Sequence, residues 1–184
     1  MEFLPTRQDI NIGHQWLMSM GQSADKFDIN IQYCMSQPRH ILHSLHIPRV
    51  THARVSGDYT DHLVNRGEQW KIGISSIFAH AIGLAPFKDV FWSTSLEPGT
   101  RYKPSPKEVL PDREVLIATL STGPVAPGDA INYTNVERIM KCCRKDGLIL
   151  KPDRPLTTIN ALISDWALHN SVSQGELYST RTTM

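Results

Sequence analysis

The string Arg54-Val55-Ser56-Gly57-Asp58-Tyr59 is the densest cluster of reactive side chains in this 184-residue chain. Side chains alternate along a strand, so Arg54, Ser56 and Asp58 share one face and the carboxylate sits where the strand yields to its loop. A carboxyl group there can give or take a proton. A guanidinium on the same face can hold a substrate hydroxyl or orient a neighbouring carboxylate, and Gly57 permits a ligand to come close. The same string is also compatible with an ordinary strand-end aspartate capping the next turn. Cys34 ends an earlier strand at the corresponding level, but no nearby base activates its thiol, so its expected role is to line a pocket. His40, His43 and His46 fall at i, i+3 and i+6 on a predicted helix. The first and last are some 600° apart at ~100° per residue, so the three do not converge on one ion, and no metal site is expected.

The elements that must position these residues follow from apolar periodicity. Asp9 is a candidate N-cap for a helix through Ile12, Trp16, Leu17 and Met20, and Asp28 to Met35 reads as a strand. Pro38 opens a second helix, and Val50 to Ser56 is the strand that ends in the Arg54 string. Glu68 to Leu84 reads as a buried helix despite Gly73, with a short strand at Val90 to Trp92. Leu96 to Asp112 holds four prolines and one glycine and reads as a long loop. Val115 to Thr122 is predicted to be a buried strand, Asn135 to Arg144 a helix, Gly147 to Leu150 a last short strand, and Gly175 to Thr183 a strand without a visible partner. Strand and helix in alternation point to an α/β protein with a parallel sheet. Neither G-x-G-x-x-G nor a P-loop occurs.

With 40% apolar and 20% charged residues, the chain can build one sizeable core. Nineteen Lys and Arg against eighteen Asp and Glu leave a net charge of +1, too little to gather a nucleic acid or an anionic membrane surface, and neither is an expected partner. Three cysteines, two of them vicinal at Cys142 and Cys143, form no disulfide framework and read as packing residues. The N-terminal MEFLPTR has no basic region before an apolar core, so no secretory signal is expected, and Asn132-Tyr133-Thr134 matters as a glycosylation triplet only on that route.

RVSGDY, preceded by IQYCMSQPRHIL and followed by PFKDVFW, TLSTGPVAPGD and CCRKDGLILKPDRPLTTIN, resembles the catalytic barrel of clan D glycoside hydrolases, family 36 in particular, which holds α-galactosidases and raffinose-synthase-like proteins. The resemblance implies a partial (β/α)₈ barrel, roughly strands five to eight, over residues 1–160, and the start of a C-terminal β-domain over 161–184. It implies retaining hydrolysis or transfer of α-linked sugars by two carboxyl groups ~5–5.5 Å apart, without a cofactor. Asp58 matches the acid/base and Arg54 a sugar-hydroxyl ligand, with Ser56 beside them. Asp89 and Asp129 match pocket aspartates after later strands, and Trp92 would stack on a sugar face. Glu2 falls at the nucleophile position, where the family has aspartate.

A nucleophile one residue from a terminus is poorly held for covalent attack, so the chain alone is expected to be inactive. A non-catalytic sugar-binding or interaction module derived from the family is the alternative. Four or five strands would leave unpaired sheet edges that invite a second copy or a missing N-terminal half-barrel. Self-association or aggregation of the isolated chain is the expected outcome at micromolar concentration; sedimentation as a clean monomer would count against it.

Overall fold

The computed structural model describes residues 11–59, 72–98, 108–168 and 177–183. Glu2 and Asp9 lie outside them, as does the first part of the helix expected from Glu68. Three short strands, β1 (Ile31–Tyr33), β2 (Val50–Arg54) and β3 (Ala85–Phe87), pair in parallel in that order. Their register sets Ile31 opposite Val50 and Arg54 opposite Phe87. The crossovers are helical: α2 (Pro38–His43) with a 3₁₀ turn at Ser44–His46 joins β1 to β2, and α3 (Ile72–Ala81) lies between β2 and β3. Pro38 occupies the first turn of α2, where its missing N–H is no loss.

Helix α1 (Ile12–Lys26) precedes the sheet and begins behind Asn11 rather than Asp9. Arg49 fastens its end, reaching Asp25 at 2.8 Å and Asp28 at 2.6 Å. Leu17 of α1, Ile41 of α2 and Ile72 and Ala79 of α3 pack with Tyr33, Val50 and Ala53 of the sheet into the main apolar core. Burial of this kind stabilises the fold by roughly 25 cal/mol per Å² of apolar surface removed from water. The described strands are shorter than the apolar patterns: Asp28 to Met35 reduces to three residues and Val50 to Ser56 to five.

The largest correction concerns Val115 to Thr122, expected as a strand and found within helix α4 (Pro111–Leu120) and the turn that follows it. Pro111 starts that helix, and Asp112 and Glu114 in its first turn suit the helix dipole. Val115, Ile117, Ala118 and Thr119 are all buried, and a helix buried on several faces shows the same unbroken apolar run as a central strand. Val90 to Trp92 is not a strand either. It makes one parallel bridge, Phe91 to Pro127, while the strand lies five residues earlier. Gly147 to Leu150 contributes only a bridge from Ile149 to Cys143. Helix α5 (Val136–Met140) is shorter than expected and is capped by Asn135, whose Oδ1 accepts from the Arg138 N–H at 2.9 Å.

Two elements were not anticipated, β4 (Arg154–Thr158) and α6 (Asn160–Ala167). The C-terminal strand β5 (Tyr178–Arg181) pairs antiparallel with β4, joining residues on both sides of position 160. Helix α3 lies directly on this pair. A Cβ added at Gly73 would stand 2.2 Å from Thr158 Oγ1 and 2.5 Å from Tyr178 Cε1, so the glycine admits the close approach. The molecule is thus mixed α/β, with three parallel and two antiparallel strands among the described residues. No helix among them is long and apolar enough to cross a membrane.

The packing at Gly73 predicts that Gly73→Ala lowers stability by about 1–3 kcal/mol, whereas Gly13→Ala, with nothing within 4 Å of the new methyl, stays within about 0.5 kcal/mol of wild type or exceeds it. Urea unfolding of the two variants measures both.

Candidate functional site

The carboxyl ends of β1, β2 and β3 lie side by side, and parallel α/β folds hold their ligands at such ends. Arg54, the last residue of β2, is only 8% exposed at its side chain. Its Nη1 contacts Asp58 Oδ1 at 2.7 Å and Asp89 Oδ2 at 3.2 Å. Burial disfavours the Arg54 cation, but attraction from Asp89 and the bond to Asp58 outweigh it, holding the guanidinium above its ordinary value.

Asp89 follows β3 by two residues and is caged. Its Oδ2 also accepts the Tyr59 N–H at 2.7 Å, and its own N–H donates to Ser56 Oγ at 2.9 Å. Ser56 therefore fixes the Asp89 backbone. Asp89 is 17% exposed, while Asp58 stands 61% exposed. A hollow of about 510 Å³ opens between these strand ends and helices α2 and α3, lined by Arg54, Ser56 and Gly57 together with Met35, Ile74 and Phe78. Met35, just past β1, adopts φ 50°, an uncommon conformation outside glycine.

Arg54, Ser56, Asp58 and Asp89 are thus brought together, while Trp92 and Asp129 make their contacts elsewhere. Cys34 is exposed and lines a separate groove of about 380 Å³ with Trp16, Met20 and His40. Trp92 lies in a second apolar cluster with Phe91, Val115 and Ala118, its ring edge-on to Tyr59 at 5.7 Å. Asp129 clasps the loop after β3, accepting from the Ser93 N–H at 2.6 Å and the Ser93 hydroxyl at 2.5 Å.

Beneath the cluster lies an ionic layer that the sequence reading missed. Lys88, beside Asp89, is buried and pairs with the equally buried Glu114 of α4 at 2.8 Å. Its ammonium stands 4.9 Å from the Tyr59 ring centre and 5.3 Å from that of Phe91. Burial pulls the Lys88 ammonium down and pushes the Glu114 carboxyl up, each opposed by its attraction to the other. The Tyr59 hydroxyl donates to buried Glu108 at 2.6 Å, and burial, then this bond, pushes the phenol well above its ordinary range. Charges set within the apolar runs APFKDVFW and PDREVLIATL were the available signal, because a charge inside an apolar run needs a partner.

Among the described residues no group of three or more His, Cys, Asp or Glu is placed to hold a metal ion. His43 meets His14 edge-on at 4.9 Å, and its Nδ1 is buried without a partner. No family model matches the chain, and no curated protein or solved structure matches it either.

Burial, then the electrostatic influence of His14, His40, His46 and Arg39, holds His43 below its ordinary value. A histidine depressed in the fold leaves the unfolded chain binding more protons, so its stabilisation is complete above about pH 6.5 and is lost as pH falls through the folded value. The melting temperature is expected to drop between about pH 7.5 and pH 5, with a smaller drop in His43→Gln.

Proposed function

We propose that this chain is a sugar-handling part of a retaining glycoside hydrolase or transglycosidase acting on α-linked sugars, of the family 36 kind, with a partial (β/α)₈ barrel as its frame. The observation that carries the reading is the buried Arg54 guanidinium holding Asp58 and Asp89 at the ends of adjacent parallel strands, beside a hollow of about 510 Å³. Such a volume suits a small-molecule ligand. A guanidinium and carboxylates fixed against one another present the planar donors and acceptors that match neighbouring sugar hydroxyls.

In this reading Arg54 and Asp89 bind hydroxyls, and Asp58 protonates the leaving oxygen and later activates water. The exposure of Asp58 leaves it open to a leaving group. Glu2, the residue matched to the nucleophile, lies outside the described residues. A second reading, a binding module without covalent chemistry, is favoured by the bonds that already tie Asp58 and Asp89 to one guanidinium nitrogen.

The test is calorimetric binding of galactose and raffinose together with hydrolysis of methyl α-galactoside, whose poor leaving group demands an acid. The enzymatic reading expects saturable binding by this chain, weakened by about tenfold or more in Arg54→Ala, and turnover in a version extended upstream, lowered by about 10²–10⁴ in Asp58→Asn of that version. Binding without turnover in both versions supports the module. Neither binding nor turnover rejects both.

A further inference from the structure

Asp89 is held on several sides, by groups of its own loop and of its neighbours. Its backbone N–H is tied to Ser56, its carboxylate to Arg54 and the Tyr59 amide, and its carbonyl accepts from Lys88 Nζ at 3.3 Å. Lys88 has no solvent to stabilise its charge. What fixes it is Glu114 of α4 at 2.8 Å and the faces of Tyr59 and Phe91. Tyr59 is anchored in turn, through its hydroxyl, to Glu108, which also accepts the Leu110 N–H at 2.8 Å, directly before α4. Two of the contacts on Asp89, those made by Lys88 and by the Tyr59 amide, therefore lead on to one segment, Glu108 to Glu114.

A buried ion pair is a poor device for stability, because desolvation consumes most of its attraction. It is a good device for fixing position, because a charged pair tolerates little displacement once water is excluded. The cost is sensible where a carboxylate must stand within a fraction of an ångström of a ligand. We propose that Lys88 is a positioning residue for Asp89: paired with Glu114, it anchors the backbone bearing that carboxylate, so that α4 sets which sugar hydroxyl the Arg54 cluster accepts. This inference rests on the sugar-handling reading for its ligand and on the geometry of the free protein for its mechanism.

The test replaces both charges, Lys88→Met with Glu114→Met in the full chain, since apolar residues of similar size commonly leave a fold intact where a buried pair stood. Two quantities are read. The first is the NMR signature of the Tyr59 amide, whose proton is hydrogen-bonded to Asp89, and its hydrogen exchange; the second is galactose affinity. The proposal expects Tyr59 exchange to quicken and galactose binding to weaken, each by about tenfold or more, while Gly73→Ala, destabilising elsewhere, leaves the Tyr59 signature in place. A folded double variant with an unchanged Tyr59 signature and unchanged affinity overturns it. Should the double variant not fold, Glu114→Gln keeps the shape and removes only the countercharge; an unchanged Tyr59 amide there overturns the proposal equally. If the wild-type chain binds no sugar but the Tyr59 amide loosens as expected, the sugar reading falls and the clamp stands.

Discussion

One cation, the Arg54 guanidinium, determines how the ends of the parallel sheet are arranged. It leaves the sheet at the last residue of β2, lies almost wholly buried, and meets carboxylates from its own loop and from the loop after β3. Without those carboxylates a buried guanidinium is costly, and without the guanidinium two acidic groups at adjacent strand ends repel. The three side chains are therefore a unit. Their arrangement needs β2 and β3 to be parallel and in register, with Arg54 opposite Phe87 and Asp89 two residues further on.

The second layer of charge works differently. Lys88 and Glu114 are both buried, and burial pushes each toward its neutral form while their attraction resists. Aromatic rings of Tyr59 and Phe91 surround the ammonium and exclude water, which strengthens every electrostatic contact nearby. Tyr59 links the two layers: its backbone amide serves Asp89, its ring faces Lys88, and its hydroxyl serves Glu108. A hydroxyl and an amide from one residue thus transmit the placement of the α4 segment to the surface cluster.

The surroundings divide labour in the same way. Ser93, Asp129, Asn135 and Arg138 form a clasp that ties the loop after β3 to the start of α5, with Arg138 donating to the Ser93 carbonyl. Asp129 serves that clasp, and Trp92 serves the apolar cluster beside it. Both support the cluster through the loop that carries Asp89. The groove at Cys34 is separate, although Met35 and Ser36 border both hollows.

Alternation of apolar patterns was enough to mark mixed helix and strand, the helices at Ile12 and Pro38 and a strand from Val50, because these depend on local periodicity and on proline's fixed backbone angle. The strand expected to reach Ser56 stops at Arg54, so Arg54 and Asp58 meet through an ion pair across the loop and not by alternation along a strand. Local pattern failed at Val115 to Thr122, since burial on several faces leaves an unbroken apolar run that a helix and a central strand share. It could not pair β5 with β4, nor join Asp89 to Arg54 and Lys88 to Glu114 across 35 and 26 intervening sequence steps. Such pairings follow from which strands lie side by side and which helix closes over them. Residue types gave the site its chemistry; only the tertiary packing decided which charges meet, because an ion pair depends on distance in space and burial, and neither is written in the order of the chain.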